Sequence, residues 1–73
     1  MSIVEDLADA LAIDALDAAE AQNDEKIIAE VSEILGASSQ TAQEAFLTAI
    51  RVRRAARRAR EFLNSRAAPP AKP

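Results

Sequence analysis

The sequence predicts an all-α protein: a small three-helix up-down-up bundle with a long, arginine-rich third helix, paired as a dimer. Three observations predict it. Apolar residues recur at alternating spacings of three and four in three successive segments, and no segment shows the period of two that a strand requires. Helix-terminating residues fall between those segments, at Gln22-Asn23-Asp24 and around Gly36, the one glycine of the chain. The charge is divided along the chain: residues 1–36 carry ten carboxylates and one lysine, and residues 37–73 carry eight basic side chains and two glutamates, about −9 followed by +6 within a net −3.

The first helix is predicted over about residues 3–21. Ser2 and Glu5 form an S-x-x-E capping box, and Glu5 and Asp6 stand where the helix dipole favours negative charge. Val4, Ala8, Leu11, Ala15 and Ala18 form one face, with Asp6, Asp9, Asp17 and Glu20 opposite. The second helix spans about 25–35, capped by Asn23 or Asp24. Its apolar face is Ile27, Ile28, Val31, Ile34 and Leu35, and Gly36 follows as a left-handed C-cap. The third helix spans about 41–65 and opens on a second capping box, Thr41 with Glu44, with Ser39 as the competing cap. Ala42, Ala45, Ala49, Val52, Ala56, Ala59 and Leu63 then run at spacings of 3, 4, 3, 4, 3, 4, three heptads with a seam made mostly of alanine. Residues 1–66 make one domain, and the Pro/Ala tail 67–73 is expected to be disordered.

Composition narrows the function classes. Without cysteine or histidine, the chain lacks disulfides, thiolate sites, the commonest metal ligand and the commonest general base. Ser32, Ser38 and Ser39 have no histidine to activate them, no glycine-rich phosphate loop is present, and no cofactor or metal is expected. An enzyme is therefore not expected. No apolar run approaches the roughly 20 residues of a membrane span, which makes the expected address the cytoplasm with no membrane partner. Alanine supplies 18 of the 36 apolar residues, and 17 large aliphatic or phenylalanine side chains remain. So thin a core favours close helix packing, oligomerisation or folding on a partner.

The length of the third helix points to a contact surface. The second helix is long enough to cover the third only to about Val52, and residues 53–66 project beyond it. A non-catalytic protein–protein interaction module is expected, as an adaptor, regulatory or assembly subunit. Val52, Ala56, Ala59, Phe62 and Leu63 form its contact seam, and Arg53, Arg57 and Arg60 choose the partner by charge. That partner is a second copy of the chain, an acidic protein, or both. Ile13 and Leu16, towards the acidic side of the first helix, form a second interface. A competing demand on the arginines is internal, from Asp14, Asp17, Glu20, Asp24 and Glu25.

Nucleic acid is the alternative partner. The stretch from Glu30 to Phe46, with apolar Val31 and Leu35, Gly36 in the turn, and Ala42 and Ala45 beyond it, resembles the helix-turn-helix of sigma factors and small repressors. The resemblance covers about 20 of the 73 residues. It implies a small DNA-binding transcriptional regulator in which Ser38, Ser39, Gln40, Thr41, Gln43 and Glu44 begin the base-reading helix. Arg51, Arg54 and Arg58 would then grip phosphates. The chain departs from that pattern in having no Lys or Arg between residues 37 and 50. Its heptads also favour nearly antiparallel packing over the steep crossing of the motif.

Overall fold

In the computed structural model, residues 2–67 are described and form three helices in chain order: α1 (Ile3–Gln22), α2 (Lys26–Ser38) and α3 (Gln40–Ala67). The expectation of an all-helical chain holds, and among the described residues there is no strand. Ala67 belongs to α3 rather than to the tail, and the rest of the expected tail, 68–73, lies outside the described residues.

The helix ends follow from local chemistry. Ser2 accepts a hydrogen bond on Oγ from the Glu5 backbone N–H at 3.1 Å, the N-cap half of the expected capping box. α1 stops at Asn23, which takes the left-handed conformation (φ 52°, ψ 49°). The Asn23 N–H bonds the Glu20 carbonyl and the Asp24 N–H bonds the Ala19 carbonyl, a Schellman arrangement that satisfies the last carbonyls of the helix. Asp24 then caps α2, its Oδ1 accepting from the Lys26 N–H at 3.0 Å.

The next boundary corrects three expectations. Gly36 is not a left-handed cap; it lies inside α2, which continues to Ser38. Ser39 stands alone between α2 and α3 in extended conformation and serves both. Its N–H bonds the Leu35 carbonyl at 2.7 Å, and its Oγ accepts from the Ala42 N–H at 3.1 Å. Ser39 therefore caps α3 in place of Thr41, and Thr41 and Glu44 are exposed. Gly36 has a packing role instead. A Cβ there would lie 2.5–2.8 Å from the end of the Gln43 side chain. Gln43 Nε2 donates to the Ser32 carbonyl at 2.9 Å and to Ser32 Oγ at 3.2 Å, which satisfies a buried serine.

The core is built from small residues on α1 against large ones on α3. Ala8, Ala12, Ala15, Leu16 and Ala19 of α1 pack with Phe46 and Ile50 of α3 and Ile28 of α2. Ala12 and Phe46 are both 0% exposed. The alanine seam expected to face inward is therefore displaced: Ala45 and Ala49 border the core, and Val52, Ala56, Ala59 and Leu63 face solvent. Burying a large side chain contributes about 1.5–3 kcal/mol, far more than an alanine methyl, so Phe46 and Ile50 set the rotation of α3. On α1 the buried face is turned by about one residue from the expected one, so Leu11 is partly exposed and Leu16 is buried. Leu16 is thus a core residue, and the expected Ile13–Leu16 interface loses that member. Ile34 of α2 also points outward.

Two predictions follow from this packing. Phe46→Ala removes the most buried side chain and is expected to cost about 3–5 kcal/mol, whereas Phe62→Ala costs under about 0.5 kcal/mol; urea unfolding of both variants checks the contrast. Gly36→Ala displaces the Gln43 amide from Ser32, so it yields no gain in the wild-type chain but stabilises a Gln43→Ala background by about 1 kcal/mol. A four-variant thermal-denaturation cycle measures that coupling.

Candidate functional site

The second half of α3 is the most exposed stretch of helix among the described residues. At 1.5 Å per residue α3 runs about 42 Å and α2 about 20 Å. Every residue from Ala55 to Ala67 is exposed. This segment persists as helix because alanine, arginine and leucine have high helix propensity, and because it extends a helix already nucleated by the core. Basic residues near its C-terminus also suit the helix dipole.

Two opposed surfaces run along this segment. The inward one carries arginines to the carboxylates of α1 and α2. Arg53 donates from Nε and Nη2 to the two oxygens of Asp9, each at 2.6 Å, a bidentate pair. Arg54 donates to Glu25 Oε1 at 2.6 Å. Arg57 forms ion pairs with Asp17 at 3.5 Å and Glu20 at 3.7 Å. All four contacts are well solvated, so each contributes modestly to stability. Together they join α1 and the α1–α2 turn to the basic helix. The hydrogen bond from Arg53 holds the Asp9 carboxyl below the usual carboxylate range; desolvation opposes that shift and the guanidinium charge adds to it. Asp9 correspondingly raises Arg53.

The outward surface is apolar. Val52, Ala55, Ala59, Phe62 and Leu63 fall on one face of α3, and Val52, Phe62 and Leu63 are 61%, 60% and 53% exposed. Arg66 lies over the Phe62 ring, 5.8 Å from its centroid, which restrains the ring on this face. Arg51 and Arg58 line one edge, and Arg60 lies on the other beside Arg53. Arg51, Arg58 and Arg60 form no ion pair with any described residue.

The expected partner-binding set is therefore divided. Val52, Ala56, Ala59, Phe62, Leu63 and Arg60 remain available, whereas Arg53 and Arg57 are engaged by α1. The acidic residues that engage arginines of α3 are in part those expected, Asp17 and Glu20 on Arg57 and Glu25 on Arg54, with Asp9 added on Arg53. Asp14 pairs with none of the described residues.

The expected nucleic-acid contacts are also divided. Arg51 and Arg58 are open, but Arg54 is held by Glu25 and Gln43 is turned inward to Ser32. The helix pair does not cross steeply. Glu25 and Arg54 each lie about 20 Å along their helices from Ser39, and at a crossing near 90° they would stand roughly 30 Å apart, beyond the span of an ion pair. Their 2.6 Å contact requires α2 and α3 to run back along one another. Ser38, Gln40 and Thr41 lie at the turn and are exposed, while Ser39 is occupied as a cap.

A further apolar stripe lies outside the expected set. Ile3, Leu7 and Leu11 of α1 are exposed at spacings of four, with Asp6 and Asp14 each three residues from an end of the stripe. Its signal is the i, i+4, i+8 spacing, which competes in the sequence with the face through Val4 and Ala8.

Two shallow clefts of about 350 and 370 Å³ flank α3, one lined by Arg53, Ala56, Arg57, Arg60 and Glu61, the other by Glu5, Glu44, Ala45, Thr48, Ala49 and Val52. Among the described residues, no group of three or more acidic side chains is arranged to hold a metal ion, and no helix is long and apolar enough to cross a membrane. Comparison with protein-family models, curated proteins and solved structures finds no match to this chain.

The Asp9–Arg53 pair has a signed pH dependence. Because the folded state depresses the Asp9 pKa, the pair contributes stability above the unfolded value, and that contribution is lost as pH falls through the folded value. Asp9→Asn is therefore expected to lower the melting temperature at neutral pH. The difference from wild type shrinks below about pH 4 and closes once Asp9 is protonated in both states. Melting curves of the two chains between neutral and strongly acidic pH check this.

Proposed function

We propose that this chain is a non-catalytic protein–protein interaction module, an adaptor, regulatory or assembly subunit that acts through the second half of α3. The observation that carries the reading is the exposed face of Val52, Phe62 and Leu63 on a helix whose second half runs past the core. Seven of the 17 large aliphatic or phenylalanine side chains are exposed, and six of them fall into the two stripes of α1 and α3. Exposed apolar side chains grouped on one helix face and rimmed by charge are characteristic of a docking surface. The helix is already formed without a partner, so little conformational entropy is lost when it docks. Arginines along both edges select for a partner bearing carboxylates.

A photo-crosslinking residue at position 62 tests the reading. A protein adduct of defined mass is expected from position 62, absent when the same probe replaces Glu30 on α2, and abolished by Leu63→Asp. Leu63→Asp should leave helix content unchanged, because the side chain makes no core contact. Absence of any protein adduct would remove the reading. Binding of a labelled DNA duplex that collapses between about 50 and 200 mM salt would instead assign the open arginines to phosphate.

A further inference from the structure

We infer that the partner of the α3 stripe is the α1 stripe of a second copy of this chain, exchanged reciprocally in a two-fold dimer. This rests on the proposed interaction role and names the occupant of the surface.

The two stripes are complementary in charge. On α3, the apolar face of Val52, Phe62 and Leu63 is edged by arginines that pair with no described residue. On α1, Ile3, Leu7 and Leu11 lie beside Asp6 and Asp14, which likewise form no ion pair with described residues. Residues 55–67 carry four arginines against one glutamate, whereas residues 3–14 carry four carboxylates and no basic side chain. Each stripe presents what the other lacks.

Their outer parts, Ile3 on α1 and Phe62 with Leu63 on α3, also lie towards opposite ends of the molecule. Glu5 lines a cleft with Glu44, Ala45, Thr48, Ala49 and Val52, so the start of α1 runs beside the first half of α3. Val52 borders that cleft, and Phe62 and Leu63, the rest of the basic stripe, sit beyond the core at the other end. One chain cannot bring its own stripes together, but two chains set antiparallel bring both pairs together at once. That arrangement is closed, with the same contact made twice. It covers six of the seven exposed large side chains and leaves Ile34.

Pairing of two α3 helices along the alanine seam is less favourable. Antiparallel α3 helices paired Val52 against Leu63 would bring Arg58 of one copy near Arg58 of the other, and like charges across an interface oppose association. The α1 stripe offers carboxylates at that position.

Charge reversal separates these possibilities. Sedimentation velocity of the wild-type chain over about 1–200 µM is expected to show a monomer–dimer equilibrium that stops at two copies. Arg58→Glu with Arg60→Glu on α3 should weaken dimerisation at least about tenfold, and so should Asp6→Lys with Asp14→Lys on α1. Circular dichroism should report both variants as helical as wild type, since none of the four side chains contacts the core. Mixing the two variants should restore a dimer, because the mixed pair contains one native contact and one with both signs reversed. A monomeric wild-type chain throughout that range would overturn the inference while leaving a different protein to be found by crosslinking at position 62. If Arg58→Glu with Arg60→Glu strengthened self-association and the α1 reversal had no effect, two α3 helices would be in contact and the inference would fail. Growth beyond two copies would replace the closed pair by a head-to-tail chain and would also overturn it.

Discussion

Phe46 packed against the alanines of α1 is the contact on which the rest of the structure depends. A chain with so few large side chains has few ways to bury them, and α3 offers one strong pair, Phe46 and Ile50, one turn apart. Four alanines on α1 let the two helices approach closely enough to exclude water from that pair. Once Phe46 points inward, the rotation of α3 is fixed. Arg53 and Arg57 come to lie against α1, Arg54 against the start of α2, and Gln43 against Ser32. The alanine seam and Phe62 are turned out. The ion pairs are consequences of this rotation and reinforce it, because solvated pairs of this kind contribute too little to choose it.

The charge division of the sequence is reconciled by the same geometry. Up-down-up topology places α1 and α3 side by side in parallel, so carboxylates from residue 9 to residue 25 meet arginines from 53 to 57. Beyond Arg57 there is no more of α1 to meet, and Arg58 and Arg60 pair with no described residue. The acidic half likewise has carboxylates left over at its beginning. Unmatched charge of one sign therefore stands at each end, Glu5 and Asp6 at the start of α1 and Arg58 and Arg60 towards the end of α3, with Arg51 and Asp14 unpaired between them among the described residues.

The helices, their order and the overhang were legible in the sequence because capping boxes and three-four spacing are local signals. Ser2, Asp24 and Ser39 act where their chemistry places them. The facing of the helices was less legible. The heptad run through Ala45, Ala49 and Val52 is a longer and more regular pattern than Phe46 with Ile50, yet the shorter pattern buries more area. Spacing carries no weighting by side-chain size, and it misled on α1 in the same way, where Ala8, Ala12, Ala15 and Ala19 compete with Val4, Ala8 and Leu11. Gly36 misled for a different reason. A glycine beside a serine-rich turn reads as a cap, and its close approach to Gln43 depends on how α2 and α3 pack, which no local pattern contains. The exposure of Phe62 and Leu63 was readable from helix length and Val52 from the heptad run, whereas the division of the arginines into engaged and open required the rotation of α3.

The single residue between α2 and α3 has a mechanical consequence. Ser39 supplies two backbone dihedrals, both held by hydrogen bonds to Leu35 and Ala42, so the joint has no slack. α2 and α3 therefore move as one elbow, and a force applied at the far end of α3 is delivered to the core at Phe46 rather than absorbed in a loop. The exposed half of α3 behaves as a lever about 20 Å long whose fulcrum is the hydrophobic core. A partner that seizes it acts on the stability of the whole domain.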